Sequence, residues 1–195
     1  MLLSNEIKEE ELCPPPVNKA RANRMSAEGI SVFYGAKDAA TAFAEIFTGE
    51  HQYATIATFV NLRELYILDL ADKTKYSVPS LFDTECQDLR ETKIFLNELN
   101  QDLTRDIKDM KNIEYVPAQV VAEYFRFLYD YNGRRIDGIA YNSSKNKDGG
   151  VCYVLFFNQE QCLEDKRVKQ ELKLCSSKRY NTIEVIVKGL CNDQL

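Results

Sequence analysis

Five polar residues stand where a side chain could bind a ligand or take part in a reaction. They are Arg24 and Ser26 in a loop, Tyr34 at the end of a β-rich segment, Glu45 in a short helical segment and Ser143 at the end of another β-rich segment. An arginine in a loop can hold a phosphate through two parallel N–H donors, whereas most arginines are solvated surface charges. Taken singly, none of these residues identifies a reaction.

Glu45 borders an apolar helix face. Ala42 and Ile46 lie four positions apart and therefore share one side of a helix. A carboxylate at that border faces either water or a site, and the pattern alone leaves both readings open. Ser143 is equally ambiguous, because Ser143 and Ser144 precede a polar stretch, residues 145–150, in which serines commonly serve ordinary turns.

The elements that must position these residues alternate irregularly between strands and helices. Residues 1–23 contain three consecutive prolines and predict an extended arm. Helices are expected at 39–46 with Asp38 as N-cap, once or twice within 80–111, and at 118–131 after Pro117. The charged stretch 164–173 predicts a helix with a solvated face. Strand patterns cover 30–34, 53–60, 65–70, 136–141, 151–157 and 182–187, and the second and third of these suggest a hairpin. Without regular βαβ alternation, a mixed α+β domain is expected.

Composition narrows the class of protein. The chain has 195 residues, 45% hydrophobic and 28% charged, which suits one globular domain. A net charge of −5 makes nucleic acid a poor candidate partner. No apolar run is long enough to span a bilayer, and residues 1–12 lack a signal-peptide core, so we expect a cytoplasmic protein. Six scattered cysteines with no CxxC pair and one histidine predict reduced thiols and no metal site.

Longer motifs resemble one known family. Residues 24–30 read RMSAEGI and residues 32–36 read VFYGA, followed by Asp38, Thr41 and Glu45. Residues 115–125 read YVPAQVVAEYF, residues 137–144 read DGIAYNSS and residues 153–156 read YVLF. In this order they resemble the RES domain family, named for arginine, glutamate and serine. The resemblance runs from about residue 14 to residue 157.

The resemblance implies a fold and an activity. The fold would be α+β, similar to ADP-ribosyltransferases, with a split mixed β-sheet flanked by helices, and residues 24–195 would form a single NAD-binding catalytic domain. The activity would be cleavage of the nicotinamide–ribose bond of NAD+, as a glycosyltransferase with phosphate as co-substrate or as a hydrolase with water. NAD+ would be the substrate, with no prosthetic group. The protein would be the toxin of a bacterial toxin–antitoxin pair with a protein antitoxin as partner, and its oligomeric state stays open.

The resemblance also implies roles for the five residues. Arg24 would bind the NAD+ pyrophosphate, Ser26 would be another NAD+-binding residue, and Tyr34 would pack against nicotinamide or ribose. Glu45 would stabilise the oxocarbenium charge that develops on the ribose. Ser143 would bond the ribose or a phosphate, with Ser144 as the other candidate. Tyr141 shares the face of Ser143 if the strand is regular.

Two departures from the family pattern stand near these residues. Ser26 and Ala27 replace the commoner asparagine and proline, and Ala118 replaces a usual threonine. Two other functions remain open, an ADP-ribosyltransferase that modifies a macromolecule and a non-catalytic NAD-binding module. The first is disfavoured because Phe43, two residues before Glu45, is not an acceptor-orienting carboxylate, and the second is disfavoured by Glu45 itself.

Overall fold

The central element is a four-stranded mixed sheet. A computed structural model describes residues 7–72, 77–105, 115–146, 148–164 and 167–182. The sheet contains β1 (Phe33–Ala36), β3 (Ile67–Asp69), β6 (Gly138–Asn142) and β7 (Val151–Leu155) in the order β1-β7-β6-β3. β7 runs antiparallel to β1 and to β6, while β3 and β6 are parallel. Together with the helices, this sheet confirms the predicted α+β class.

The remaining strands form two smaller sheets. β2 (Tyr53–Asn61) pairs antiparallel with β8 (Leu172–Asn181), with an irregularity between Thr58 and Phe59. β4 (Asp130–Tyr131) and β5 (Arg134–Arg135) form a short hairpin. The sheet is thus split into separate parts, as the resemblance implied.

Four α-helices lie in the described residues: α1 (Glu9–Leu12), α2 (Ala39–Ile46), α3 (Gln87–Thr104) and α4 (Val116–Phe127). α2 begins as predicted, because Asp38 Oδ1 accepts the N–H of Thr41 at 2.8 Å and satisfies a donor that has no partner within the helix. Pro117 lies in the first turn of α4, where its missing N–H costs no helical hydrogen bond. No described helix has both the length and the apolar character that a membrane crossing requires.

The two faces of the central sheet bury two separate apolar clusters. On one face, Ile139 and Val154 pack with Leu99 and Leu103 of α3 and with Phe125 of α4. On the other face, Leu155 packs with Phe157, Cys162 and Leu172, against Phe59 of β2. Side chains alternate between faces along a strand, so β7 contributes Val154 to one cluster and Leu155 to the other. Helices therefore cover one face and the β2–β8 sheet covers the other.

Two predictions about connectivity are wrong. The strands at 53–60 and 65–70 form no hairpin, because β2 pairs with β8 while β3 joins the central sheet beside β6. Arg63, between them, donates to Asp137 Oδ1 at 2.6 Å and to Glu171 Oε2 at 2.6 Å. These two ion pairs, the Arg63 clasp, hold the segment between β2 and β3 against Asp137 before β6 and Glu171 before β8.

The predicted helix face at 164–173 is also wrong, since no helix occurs in its described residues and β8 begins at Leu172. Glu171 is only 8% exposed, because its carboxylate accepts from Arg63 and does not face water. The arm at 1–23 is not uniformly extended in its described part, which includes α1 and a 3₁₀ turn at Val17–Lys19. The helix expected at 118–131 ends earlier, at Phe127. Of the expected strand at 182–187, residues 183–187 lie outside the described residues, as do residues 106–111 of the predicted helical region.

Candidate active site

Glu45 and Ser143 are joined by a short hydrogen bond. Glu45 lies in the last turn of α2, and Ser143 directly follows β6. The Ser143 hydroxyl donates to Glu45 Oε1 at 2.5 Å. Ser143 Oγ also accepts the backbone N–H groups of Lys145 and Asn146 at 3.1 and 2.8 Å. A serine hydroxyl has one proton and two lone pairs, so these three bonds use its full capacity.

The loop that follows Ser143 is tied to α2 at further points. Asn146 Nδ2 donates to Thr41 Oγ1 at 2.8 Å, and Lys145 Nζ donates to the backbone carbonyl of Glu45 at 2.7 Å. Gly150 closes the loop against the same helix, and a Cβ atom there would lie 2.3 Å from Thr41 Oγ1. Only glycine allows this approach, so the loop and α2 hold Glu45 and Ser143 at a defined separation.

Two protonated groups lie beside the carboxylate. The thiol of Cys152 is 3.6 Å from Glu45 Oε1 and donates to it. Burial raises the pKa of the Cys152 thiol to about 12, and the charge of Glu45 and this hydrogen bond act in the same direction. Burial also raises the pKa of the Tyr141 phenol, with Cys152, Tyr34 and Glu45 adding to the effect and Arg24 opposing it. Both groups are therefore neutral at physiological pH.

Arg24 lies in a tight turn whose two ends pair with each other. Asn23 N donates to Ser26 O at 2.8 Å, and Ser26 N donates to Asn23 O at 3.3 Å. Met25, 2% exposed, anchors the turn in the core. Arg24 Nη2 donates to the backbone carbonyl of Arg105, whereas the buried Arg24 Nε has no hydrogen-bond partner among the described residues. A buried donor without a partner is costly, and an anionic ligand would satisfy it.

Tyr34 connects the turn with the sheet. Its phenolic oxygen is 3.5 Å from Ser26 Oγ, and Ser26 is 1% exposed. Burial raises the pKa of the Tyr34 phenol, while Ser26, the Met25 backbone and the Arg24 charge partly offset this effect. The residue as a whole remains 40% exposed, while its hydroxyl lies beside the buried Ser26. Tyr34 thus offers a neutral hydroxyl and an accessible ring surface.

Strand register brings these groups to one face of the central sheet. Tyr34 pairs with Val154, and Cys152, two residues earlier on β7, pairs with Tyr141. Paired residues and residues two apart share a face, so Tyr34, Tyr141 and Cys152 line one surface. Glu45 approaches that surface from α2, and Arg24 from the N-terminal turn. Ser143 lies beyond the paired part of β6, but its hydroxyl and the Cys152 thiol both bond to Glu45 Oε1, so Ser143 is next to the surface that carries Cys152 and Tyr141.

Comparison with known families identifies the family of this chain. A family model, the RES domain, matches residues 13–176. The chain belongs to the RES domain family. Searches of curated proteins and of solved structures find no match.

The structure brings two of the three RES residues of the resemblance into contact, since Ser143 bonds to Glu45. Arg24 makes no hydrogen bond to either of them among the described residues, but its charge acts on the Tyr34 and Tyr141 phenols. Ser26, in the Arg24 turn, lies 3.5 Å from the hydroxyl of Tyr34 in β1. Ser143 and not Ser144 bonds to Glu45. The turn at Ser26 is well formed although Ser26 and Ala27 depart from the commoner asparagine and proline.

Three neighbours of the site were not predicted as site residues from sequence. Cys152 contacts Glu45, Asn146 holds the loop to α2, and Gln119 reaches the Arg24 turn from α4. Cys152 could have been found from strand periodicity, because it lies two residues from Val154 on a strand facing the core. Nothing in the local sequence around Asn146 or Gln119 indicates their partners, which lie about a hundred residues away along the chain.

A cavity of about 410 Å³ lies on the opposite face of the central sheet. Ile67, Ala140 and Tyr153 form part of its wall, with Lys37 and Asp69 among its polar residues. Ala140 and Tyr153 alternate with Tyr141 and Cys152, so their side chains point away from Glu45. This cavity is therefore separate from the candidate active site. Among the described residues, no group of three or more metal-ligating side chains is arranged to hold an ion.

Proposed function

We propose that this RES domain cleaves the nicotinamide–ribose bond of NAD+, by phosphorolysis or hydrolysis, and acts as the toxin of a toxin–antitoxin pair. The observation that carries the proposal is the Glu45 carboxylate, anchored by Ser143 on the sheet face that also carries Tyr34 and is approached by Arg24. A carboxylate stabilises positive charge, and cleavage of the nicotinamide–ribose bond develops positive charge on the ribose.

Glu45 is held through one oxygen and open at the other. Ser143 and Cys152 both donate to Oε1, and Oε2 accepts no hydrogen bond from the described residues. A carboxylate fixed in this way needs no reorganisation when charge develops opposite Oε2, which makes the stabilisation specific to the transition state. The neutral Cys152 thiol and Tyr141 phenol add no competing negative charge.

Ser143 supports this step as a positioning group. Its only proton is donated to Glu45, and both of its lone pairs accept backbone N–H groups. A direct bond from Ser143 to ribose or phosphate, as the resemblance implied, would require the loss of one of these contacts. We therefore assign Ser143 to the orientation of Glu45.

Arg24 and Tyr34 supply the binding energy. The Arg24 guanidinium, whose buried Nε has no hydrogen-bond partner among the described residues, would bind the pyrophosphate as a planar fork. The Tyr34 ring would pack on nicotinamide or ribose, and its neutral hydroxyl, together with Ser26, would donate to a ligand oxygen.

The bond cleavage itself needs no acid. The nicotinamide of NAD+ is cationic and leaves as a neutral molecule, taking the bonding electron pair. Water attack at the ribose carbon then yields ADP-ribose and a proton, and phosphate attack yields ADP-ribose 1″-phosphate. One carboxylate is enough here, whereas most glycosidases employ two.

The transferase alternative receives less support from the residues around Glu45. Phe43, two positions earlier, is 7% exposed and stacks on Phe47 at 5.2 Å between ring centroids. It presents no carboxylate that could orient a macromolecular acceptor.

Product analysis tests the proposal. Purified protein is incubated with NAD+, with and without inorganic phosphate, and the products are identified by mass spectrometry. We expect free nicotinamide with ADP-ribose, or with its 1″-phosphate when phosphate is present. Modified protein or nucleic acid in place of free products would favour the transferase, and intact NAD+ with folded protein would overturn the enzyme assignment.

Cellular NAD+ tests the toxin role. Expression in a bacterial host should arrest growth and lower NAD+, because turnover draws on one cytoplasmic pool. The Glu45→Gln variant, expressed to the same level, should do neither. Growth arrest that persists in this variant would separate toxicity from NAD+ cleavage.

A further inference from the structure

One glutamine on α4 contacts both ends of the turn that carries Arg24. Gln119 Nε2 donates to Asn23 O at 2.7 Å and to Ser26 O at 3.2 Å. A side-chain amide has two N–H donors, so each carbonyl can receive one. The same two carbonyls accept the backbone bonds that close the turn. Gln119 therefore clamps a four-residue turn at its base.

The helix that carries Gln119 is a firm support. Ala118, Ala122 and Phe125 of α4 are 7%, 1% and 6% exposed and pack in the helix-side core. The Gln119 backbone is thus fixed against the sheet. Asn23, by contrast, is exposed, and its side chain donates to a carbonyl two residues away, that of Arg21 at 3.3 Å.

Arg24 depends on this turn for its direction. It occupies the second of the four turn positions, so the turn geometry sets where its side chain starts. Its Nη2 is held by the carbonyl of Arg105 at the end of α3, while its buried Nε is unpartnered among the described residues. A small rotation of the turn would move the guanidinium away from Tyr34 and the site.

We propose that Gln119 is a positioning residue that holds the Asn23–Ser26 turn so that Arg24 is preset to bind an anionic ligand. The inference rests on the proposed function, in which that ligand is the pyrophosphate of NAD+. Gln119 itself contacts no ligand; its effect passes through Arg24.

The first experiment separates binding from chemistry. Gln119→Met keeps the length of the side chain and removes both N–H donors. The matched control is Gln170→Met, because Gln170 Nε2 also donates to a backbone carbonyl, that of Cys162 at 3.4 Å, away from the site. We expect Gln119→Met to raise the KM for NAD+ about tenfold, with kcat within about twofold, and Gln170→Met to change neither.

The second experiment tests whether the effect passes through Arg24. If it does, adding Gln119→Met to Arg24→Ala should raise KM no further, because the group being positioned is gone. Multiplied effects of the two substitutions would overturn the inference, and so would an unchanged KM in Gln119→Met. Gln119→Glu is a second variant of similar shape, whose carboxylate would face two carbonyl oxygens and should weaken NAD+ binding at least as much.

Amide hydrogen exchange gives a readout independent of activity. Gln119→Met should accelerate exchange in the peptide 20–29, which contains the Asn23 and Ser26 N–H groups, while Gln170→Met should not. Unchanged exchange would contradict the clamp. If the wild type neither binds nor cleaves NAD+, the proposed function and the ligand named here are overturned, while exchange still decides whether Gln119 holds the turn.

Discussion

Glu45→Gln is the most direct test of the chemistry. Glu45 Oε1 accepts from Ser143 at 2.5 Å and from Cys152 at 3.6 Å. A glutamine carbonyl in the same place can accept both bonds, so the side chain keeps its orientation. What changes lies at the other end, where an NH2 group replaces Oε2. The substitution removes a negative charge and turns hydrogen-bond donors toward the position where positive charge develops.

The expected loss falls on the chemical step. One preorganised electrostatic contact in a water-poor site contributes about 3 to 4 kcal/mol to the transition state, which corresponds to about 10² to 10³ in kcat. NAD+ affinity should stay within about tenfold, because the pyrophosphate and adenosine supply most ground-state binding. Thermal stability should hold or rise slightly, since a half-buried amide costs less desolvation than a carboxylate.

Two measurements on the same folded protein decide the outcome. Nicotinamide release at saturating NAD+ reports kcat, and titration with NAD+ reports affinity. Glu98→Gln on α3 is the control, because Glu98 is an exposed helical carboxylate away from Ser143. Near wild-type turnover in Glu45→Gln would refute the reasoning and make Glu45 an ordinary helix residue. Loss of affinity equal to the loss of kcat would assign Glu45 to substrate binding.

Three other substitutions test the supports of the site and the fold. Ser143→Ala removes the hydrogen bond to the Glu45 carboxylate and should lower kcat about 10- to 100-fold with KM little changed. The same nicotinamide assay measures both constants. Ser143→Thr keeps a hydroxyl and should recover part of the lost kcat. Asp137→Asn weakens the bidentate pair with Arg63 and should lower the free energy of unfolding by about 2 kcal/mol in urea denaturation without changing NAD+ affinity, because Asp137 and Ser143 lie at opposite ends of β6. Burial raises the pKa of the Cys152 thiol from 9.0 to about 12, so the contribution of the protonated thiol to folding stability is complete below about pH 9 and is lost as pH rises toward 12. Burial raises the pKa of the Cys162 thiol to about 12 as well, so both thiols act in this pH range. The free energy of unfolding in urea should therefore fall between pH 8 and about pH 10.5, and this fall should be smaller by up to about 2 kcal/mol in Cys152→Ala.

Local chemistry made much of the chain predictable. Asp38 caps α2 and Pro117 lies in the first turn of α4, because both effects depend on residues within one helical turn. β6 and β7 were predicted for a similar reason, since apolar runs of high β-propensity are local properties. The family was also predicted from the sequence, because the motifs at 24–30, 115–125 and 137–144 occur in the family's order, and the RES domain match over residues 13–176 contains all of them.

Strand pairing was the part that sequence patterns misjudged. Proximity along the chain favoured a hairpin for the segments around Arg63, whereas β2 pairs with β8, more than a hundred residues away. The choice depends on which apolar face each strand buries, and on a clasp in which Asp137 and Glu171 meet Arg63 from distant segments. A local pattern contains neither piece of information.

The sequence by itself determined which residue types were available at the candidate active site and most of the helices and strands that carry them. Only the tertiary structure decided how they act together. Ser143 was predicted to contact the ligand. In the structure it donates its one proton to Glu45, because the loop after β6 packs against α2. Gln119 acquires its contact with the Arg24 turn in the same way. Hydrogen bonds are short-ranged and directional, so the partner of each group is set by the packing of remote segments and not by its neighbours in the chain.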